Sequence, residues 1–222
     1  MKTRLHQIVT VTSVLTCGSF AVAGPDWTEL GDAGSDPRSA QIPLGDGDIN
    51  SLSGNLGDRG TEFDFEDMYY FGVSDPGSFS LSIAVADFDA QLFVFHITNA
   101  GAALGLLAND DMSEESSLPM LTSMATDGTG VVLDLPGDYL VAVAGRGRNP
   151  ISSTGLIFDM ASPTEISGAD GPGGLNRLIG WEGEGETGSY RIDMTGTVFP
   201  EVPAPSSLAL LGLAGFAARR RR

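Results

Sequence analysis

The stretch Phe79-Ser80-Leu81-Ser82-Ile83-Ala84-Val85 alternates large apolar residues with small ones. Successive side chains of an extended chain point to opposite faces, so Phe79, Leu81, Ile83 and Val85 fall on one side of a strand whose other side is polar. Tyr139, Val141 and Val143 repeat the pattern after a turn signal at Pro136-Gly137-Asp138. Further short runs rich in β-branched and aromatic residues occur at 68–73, 91–97, 104–107, 130–135, 189–194 and 197–199, bounded by Gly, Asp, Asn and Pro. Such bounded runs are strand signals. No long stretch keeps a helical apolar period. Short strands at this spacing predict an all-β chain, a single antiparallel β-sandwich or jelly-roll-like domain.

Two segments stand outside this pattern. Residues 24–55 are polar and rich in Gly and Asp, and are expected to wrap the sandwich edge or to stay mobile. Residues 145–188 form a Gly/Pro-rich excursion between two strands. A connection of that length in a compact domain is expected to be functional or disordered.

The ends are specialised. Lys2 and Arg4 precede an apolar run at 8–14, and Ala21-Val22-Ala23 forms a small-x-small site followed by Gly24-Pro25. This order predicts a secretory signal peptide over 1–23, cut after Ala23, with Ala21 and Ala23 as the recognised small residues. Cys17 is the only cysteine. Lipidation there is an alternative that Leu15 and Thr16 fit poorly. Cleavage after Ala23 leaves no thiol for a disulfide or a thiolate metal site. Between 24 and 200 six arginines and no lysine face 28 Asp and Glu, a balance of −22. A surface of that sign repels nucleic acid and anionic lipid and suits salty or calcium-rich water.

At the other end, Val202-Pro203-Ala204-Pro205-Ser206-Ser207 leads into an apolar run at 208–218, closed by Arg219, Arg220, Arg221 and Arg222. The run is expected to be a short helix. It is well below the roughly 20 residues that cross a bilayer as a helix, and terminal arginines stay on the cytoplasmic side. It is a marginal anchor beside an exposed Pro-x-Pro elbow. The tail resembles the PEP-CTERM sorting signal, which has a Pro-x-Pro motif, a short apolar segment and a basic end. Ala204 stands where that motif has Glu. The resemblance implies that an integral-membrane exosortase recognises Pro203-Ala204-Pro205 and processes the chain nearby. It also implies export by the secretion machinery, a transient inner-membrane anchor, and a final place at the envelope surface or in the medium. The domain plan is therefore a signal peptide at 1–23, a β-sandwich ectodomain at 24–199 and a sorting tail at 200–222.

A second resemblance covers about 49–196. It is carried in order by Ile49-Asn50-Ser51-Leu52-Ser53-Gly54, Asp67-Met68-Tyr69-Tyr70-Phe71, Phe88-Asp89-Ala90-Gln91-Leu92-Phe93-Val94-Phe95, Leu106-Leu107-Ala108-Asn109-Asp110-Asp111, Gly137-Asp138-Tyr139-Leu140-Val141-Ala142-Val143 and Gly188-Ser189-Tyr190-Arg191-Ile192. This region is similar to the bacterial pre-peptidase C-terminal domain, a β-sandwich accessory module. The 145–188 excursion departs from the shortest form of that domain.

Candidate chemistry is sparse. Asp87 and Asp89 flank Phe88 at a strand start and share a face if extended. Asn109, Asp110 and Asp111 end the following strand pair. Together they offer hard oxygen ligands suited to Ca²⁺, although Asp and Asn at strand ends are also ordinary turn formers. Asp46-Gly47-Asp48-Ile49-Asn50 opens like an EF-hand loop. Ser51 and Gly57 stand where that loop needs Gly and Glu, and this excludes it. Glu182, Glu184 and Glu186 alternate with glycines after Trp181, as a carboxylate ladder or as a solvated loop. Trp181 is a candidate to stack on a sugar ring, with Arg146, Arg148 or Asp170 as polar contacts, or to cap the core. His96 is the sole histidine outside the signal, and no Gly-x-Ser-x-Gly elbow exists; a hydrolytic triad and a typical zinc site both lack their parts. The expectation is a non-catalytic, exosortase-sorted envelope or extracellular-matrix protein with calcium or polysaccharide as candidate ligands and no nucleic-acid partner. The alternative is a secreted hydrolase using acidic residues.

Overall fold

The computed structural model describes residues 25–57 and 64–201. The predicted signal peptide with Cys17, Ala21 and Ala23 lies outside the described residues. So does the sorting tail with Pro203, Ala204, Pro205, the apolar run expected to be helical and Arg219 to Arg222.

The described residues are all-β, without helices. Fourteen strands follow in chain order: β1 Asp26–Thr28, β2 Ser51–Leu56, β3 Glu66–Val73, β4 Ser80–Ala86, β5 Ala90–Ile97, β6 Ala103–Asn109, β7 Met120–Thr122, β8 Gly137–Gly145, β9 Asn149–Ser152, β10 Gly155–Leu156, β11 Ser167–Gly168, β12 Gly180–Glu182, β13 Gly188–Thr195 and β14 Thr197–Val198. They form a five-stranded sheet, β1-β2-β13-β4-β7, a six-stranded sheet, β11-β6-β5-β8-β3-β14, and a three-stranded sheet, β10-β9-β12. All pairings between these strands are antiparallel except β1 with β2.

Alternation along the long strands decides where the core sits. Tyr69, Phe71, Leu92, Val94, Val141 and Val143 of the six-stranded sheet meet Leu52, Leu81, Ile83, Tyr190, Ile192 and Met194 of the five-stranded sheet in one apolar cluster. This is the predicted sandwich core. The six-stranded sheet is buried on its other face too. Met68, Phe93, Phe95, Leu140, Ala142 and Ala144 pack there against Ile157, Phe158 and Leu178 of the 145–188 excursion. The excursion is thus a third layer, carrying β9, β10 and β12. Each large apolar side chain it buries contributes about 1.5–3 kcal/mol. This explains why β5 and β8 read as nearly continuous apolar runs: both of their faces are covered.

Two expectations are corrected. Phe79, Leu81 and Ile83 are buried as read, but Val85 is 61% exposed. Arg191 pairs with Val85 while Ile192 pairs with Ile83, so Ala84 is an extra residue opposite β13. That bulge turns the alternation over and sends Val85 to solvent. Residues 130–135 join no sheet. They pair narrowly with a neighbouring turn, through Leu133 N to Ser123 O at 2.7 Å and Ala125 N to Val131 O at 3.0 Å. Residues 24–55, expected to wrap the sandwich edge or to stay mobile, supply β1 and β2 at the edge of the five-stranded sheet and place Ile49 and Leu52 fully in its core.

Candidate metal centre

The turn between β4 and β5 and the end of β6 lie side by side because β5 and β6 pair from Leu92 opposite Asn109 onward. Residues just before β5 therefore face those just after β6. Oxygens of Asp89, Asp110 and Asp111 come within 4.8 Å of one another. Ligands around one calcium lie about 2.4 Å from it, so 4.8 Å is about the widest separation a shared ion allows.

Two further features mark this cluster. Asp89 Oδ1 and Asp110 Oδ1 are buried with no hydrogen-bond partner. Gln91, 3% exposed, lies beside Asp110 and has its Oε1 buried and unpartnered. Buried polar atoms are nearly always paired, so several orphaned oxygens at one place call for an explanation. Among the described residues the cation in contact is Arg146, whose Nη1 lies 2.9 Å from Asp89 Oδ2 with its side chain 61% exposed. Burial pushes the Asp110 carboxyl up to about 6, helped by the charges of Asp111 and Asp89 and opposed by Arg146 and Gln91. Asp111 is raised for the same reason, desolvation first and then Asp89.

The other residues singled out from the sequence are placed differently. Asp87 accepts a short hydrogen bond from Ser189 Oγ, across to β13. The Asn109 side chain is a clip: Nδ2 donates to the carbonyls of Asp111 at 2.9 Å and Glu165 at 2.8 Å, and Oδ1 accepts from Met120 N at 2.8 Å. Both are committed to backbone or side-chain partners beside the cluster. Glu186 approaches from β13's leading turn, its Oε2 accepting from Asp89 N at 2.9 Å, while Glu182 and Glu184 are exposed. Trp181 caps the outer core, edge-on to Phe93 at 5.5 Å and Phe95 at 6.4 Å, and donates Nε1 to Ser35 O at 2.7 Å. Arg148 grips Glu66 through Nε at 2.8 Å and Nη2 at 3.3 Å, and Nη1 donates to Gly183 O at 2.7 Å. Asp170 Oδ1 accepts from Asp159 N at 3.1 Å within the excursion. His96 is exposed on β5, edge-on to the Tyr139 ring at 6.1 Å.

A second carboxylate cluster escaped the sequence reading. Glu29, Asp32 and Asp67 also bring oxygens within 4.8 Å. Asp67 is fully buried on the inner face of β3, where Oδ2 accepts from Tyr190 OH at 2.6 Å and Oδ1 has no hydrogen-bond partner. Tyr190 OH also meets Tyr69 OH at 2.7 Å. Desolvation pushes Asp67 from its ordinary 3.8 to about 8, against the lowering bond from Tyr190 and with added repulsion from Glu29, Asp64 and Asp32. Glu29 accepts from Ala33 N at 3.0 Å and Asn55 N at 2.9 Å. The only sequence trace of this cluster is a charged residue at the start of β3, just before its apolar run; its partners lie more than 30 residues upstream.

Residues 201–222 match the PEP-CTERM protein-sorting motif. No curated protein and no solved structure matches the chain. The motif implies an exported chain processed by an exosortase at the membrane.

Proposed function

We propose that this chain is a non-catalytic envelope or extracellular-matrix protein. In this reading its β-rich ectodomain, of the pre-peptidase C-terminal kind, is delivered by exosortase sorting and uses calcium from the outside medium as a structural ligand. The observation that carries the reading is the sorting motif at 201–222, placed directly after a folded β domain. The calcium part is supported by the Asp89–Asp110–Asp111 cluster and its orphaned buried oxygens. Hard oxygen donors and the −22 balance of residues 24–200 both favour a divalent cation over an anionic ligand. A polysaccharide role does not rest on Trp181 or Arg148, because both are engaged in packing. The lone His96 and the absence of a nucleophile elbow support a protein without hydrolytic turnover.

The test is cell fractionation with intact-mass analysis in an exosortase-competent host and in its exosortase deletion. Protein from the surface or medium is expected to have lost the residues before Gly24 and Arg219 to Arg222. The deletion is expected to hold a longer form in the membrane. Recovery of only the full-length chain, in the inner membrane of the competent host, would remove the sorting reading.

A further inference from the structure

We infer that Asp89, Asp110 and Asp111 form a calcium site whose built-in counterion is Arg146, and that calcium, on displacing Arg146, locks the 145–188 layer onto the sandwich. The inference rests on the calcium reading above and adds the ligand set, the competitor and the consequence.

The ligand set follows from the geometry. The three carboxylates already satisfy the spacing a single ion requires. Asp89 Oδ1 and Asp110 Oδ1 are buried oxygens without partners, and each is a ready donor. Gln91 lies against Asp110, 3% exposed, and turning its amide would hand a fourth oxygen to the ion. Water completes a shell of six to eight on the open side.

The competitor follows from charge. Three carboxylates this close repel one another unless a cation sits among them. In a region with six arginines against 28 acids, Arg146 is the cation found there, on Asp89 Oδ2. Its guanidinium is mostly exposed, so it can swing into water at little cost once a doubly charged ion takes over. A guanidinium satisfies one carboxylate through directed bonds; a calcium ion binds all three at once.

The consequence follows from where the excursion is attached. It begins beside the cluster, with Arg146 N donating to Asp89 O at 2.8 Å. It ends beside the cluster, with Glu186 accepting from Asp89 N at 2.9 Å. Its middle is tied there as well, through Asp111 N to Pro163 O at 2.8 Å and Asn109 Nδ2 to Glu165 O at 2.8 Å. An ion that fixes Asp89 against Asp110 and Asp111 therefore fixes three anchor points of the third layer together.

The experiment is calcium titration of the full chain by calorimetry, with magnesium as control, on the native protein, Arg146→Gln and Asp110→Asn, plus limited proteolysis with and without calcium. The native protein is expected to bind one calcium and to resist cleavage within 145–188 when it does. Arg146→Gln, a change at an exposed side chain, is expected to bind calcium roughly two- to fivefold tighter, the range an exposed ion pair supports. Asp110→Asn is expected to lose calcium-dependent protection. Equal or weaker affinity in Arg146→Gln overturns the counterion role and leaves the calcium reading standing. Calcium binding that survives Asp110→Asn, or that leaves cleavage within 145–188 unchanged, overturns the site or the locking. No calcium binding in the native protein or in Arg146→Gln overturns the calcium reading itself.

Discussion

The two carboxylate clusters have the same spacing and opposite electrostatics. Glu29, Asp32 and Asp67 crowd to within 4.8 Å, and so do Asp89, Asp110 and Asp111. Asp67 is sealed between two sheets and hydrogen-bonded to a tyrosine pair. Its answer to burial is a proton, held up to about pH 8. The Asp89 cluster lies at a strand-end rim, touches solvent and keeps a guanidinium at hand. Its answer is a cation. Depth separates the two, because desolvation penalises the charge of fully buried Asp67 more than that of carboxylates at the rim.

The strongest way to break this contrast is pH. Folded Asp67 holds its proton to about pH 8, whereas the unfolded chain releases it near its ordinary 3.8. The folded state therefore binds the extra proton between those values. The stability this group supplies is intact below pH 4 and is lost as pH rises, at about 1.4 kcal/mol per pH unit, until pH 8. Urea denaturation of Asp67→Asn should show that slope removed and the variant more stable than the native protein at pH 8. A native protein whose stability at this site rises from pH 5 to 8 would contradict a buried neutral Asp67.

Calcium should act on the other cluster alone. At 100-fold over its dissociation constant it should raise unfolding free energy by about 2.7 kcal/mol, and Asp67→Asn should keep the whole gain. Loss of the calcium effect in Asp67→Asn would move the ion to the deep cluster. Tyr190→Phe strands Tyr69 OH and Asp67 Oδ2, at a cost of about 1–3 kcal/mol, and should leave calcium affinity unchanged in the same titration. The smallest effect is a control outside both clusters. Val85→Ser should change the unfolding free energy from urea denaturation by less than about 0.5 kcal/mol, as for any exposed site. A cost of several kcal/mol would mean that β4 has no bulge and Val85 is in the core.

Part of this arrangement was legible beforehand. Asp89, Asp110 and Asp111 could be picked out because they end strands that follow each other in the chain, and consecutive antiparallel strands place such ends together. Asp87 and Asn109 share that sequence context, yet their side chains turn to Ser189 and to the carbonyls of Asp111 and Glu165. Side-chain direction at a strand end depends on which neighbour offers a bond, and no local pattern records it. The Glu29–Asp32–Asp67 cluster joins β3 to a segment outside any recognised strand, so it left no spacing to read.

Local alternation alone established that the described residues are β and that Phe79, Leu81 and Ile83 face a core, and a linear motif alone marked residues 201–222 for sorting. Those properties depend on residues a few positions apart, or on linear motifs read by other proteins. Tertiary structure alone decided that Ala84 is a bulge, that the glycine-rich excursion is a layer closing a second core, and which acids meet. Each of these depends on a partner strand or residue far along the chain, and burial against that partner sets which face, register and charge state is stable.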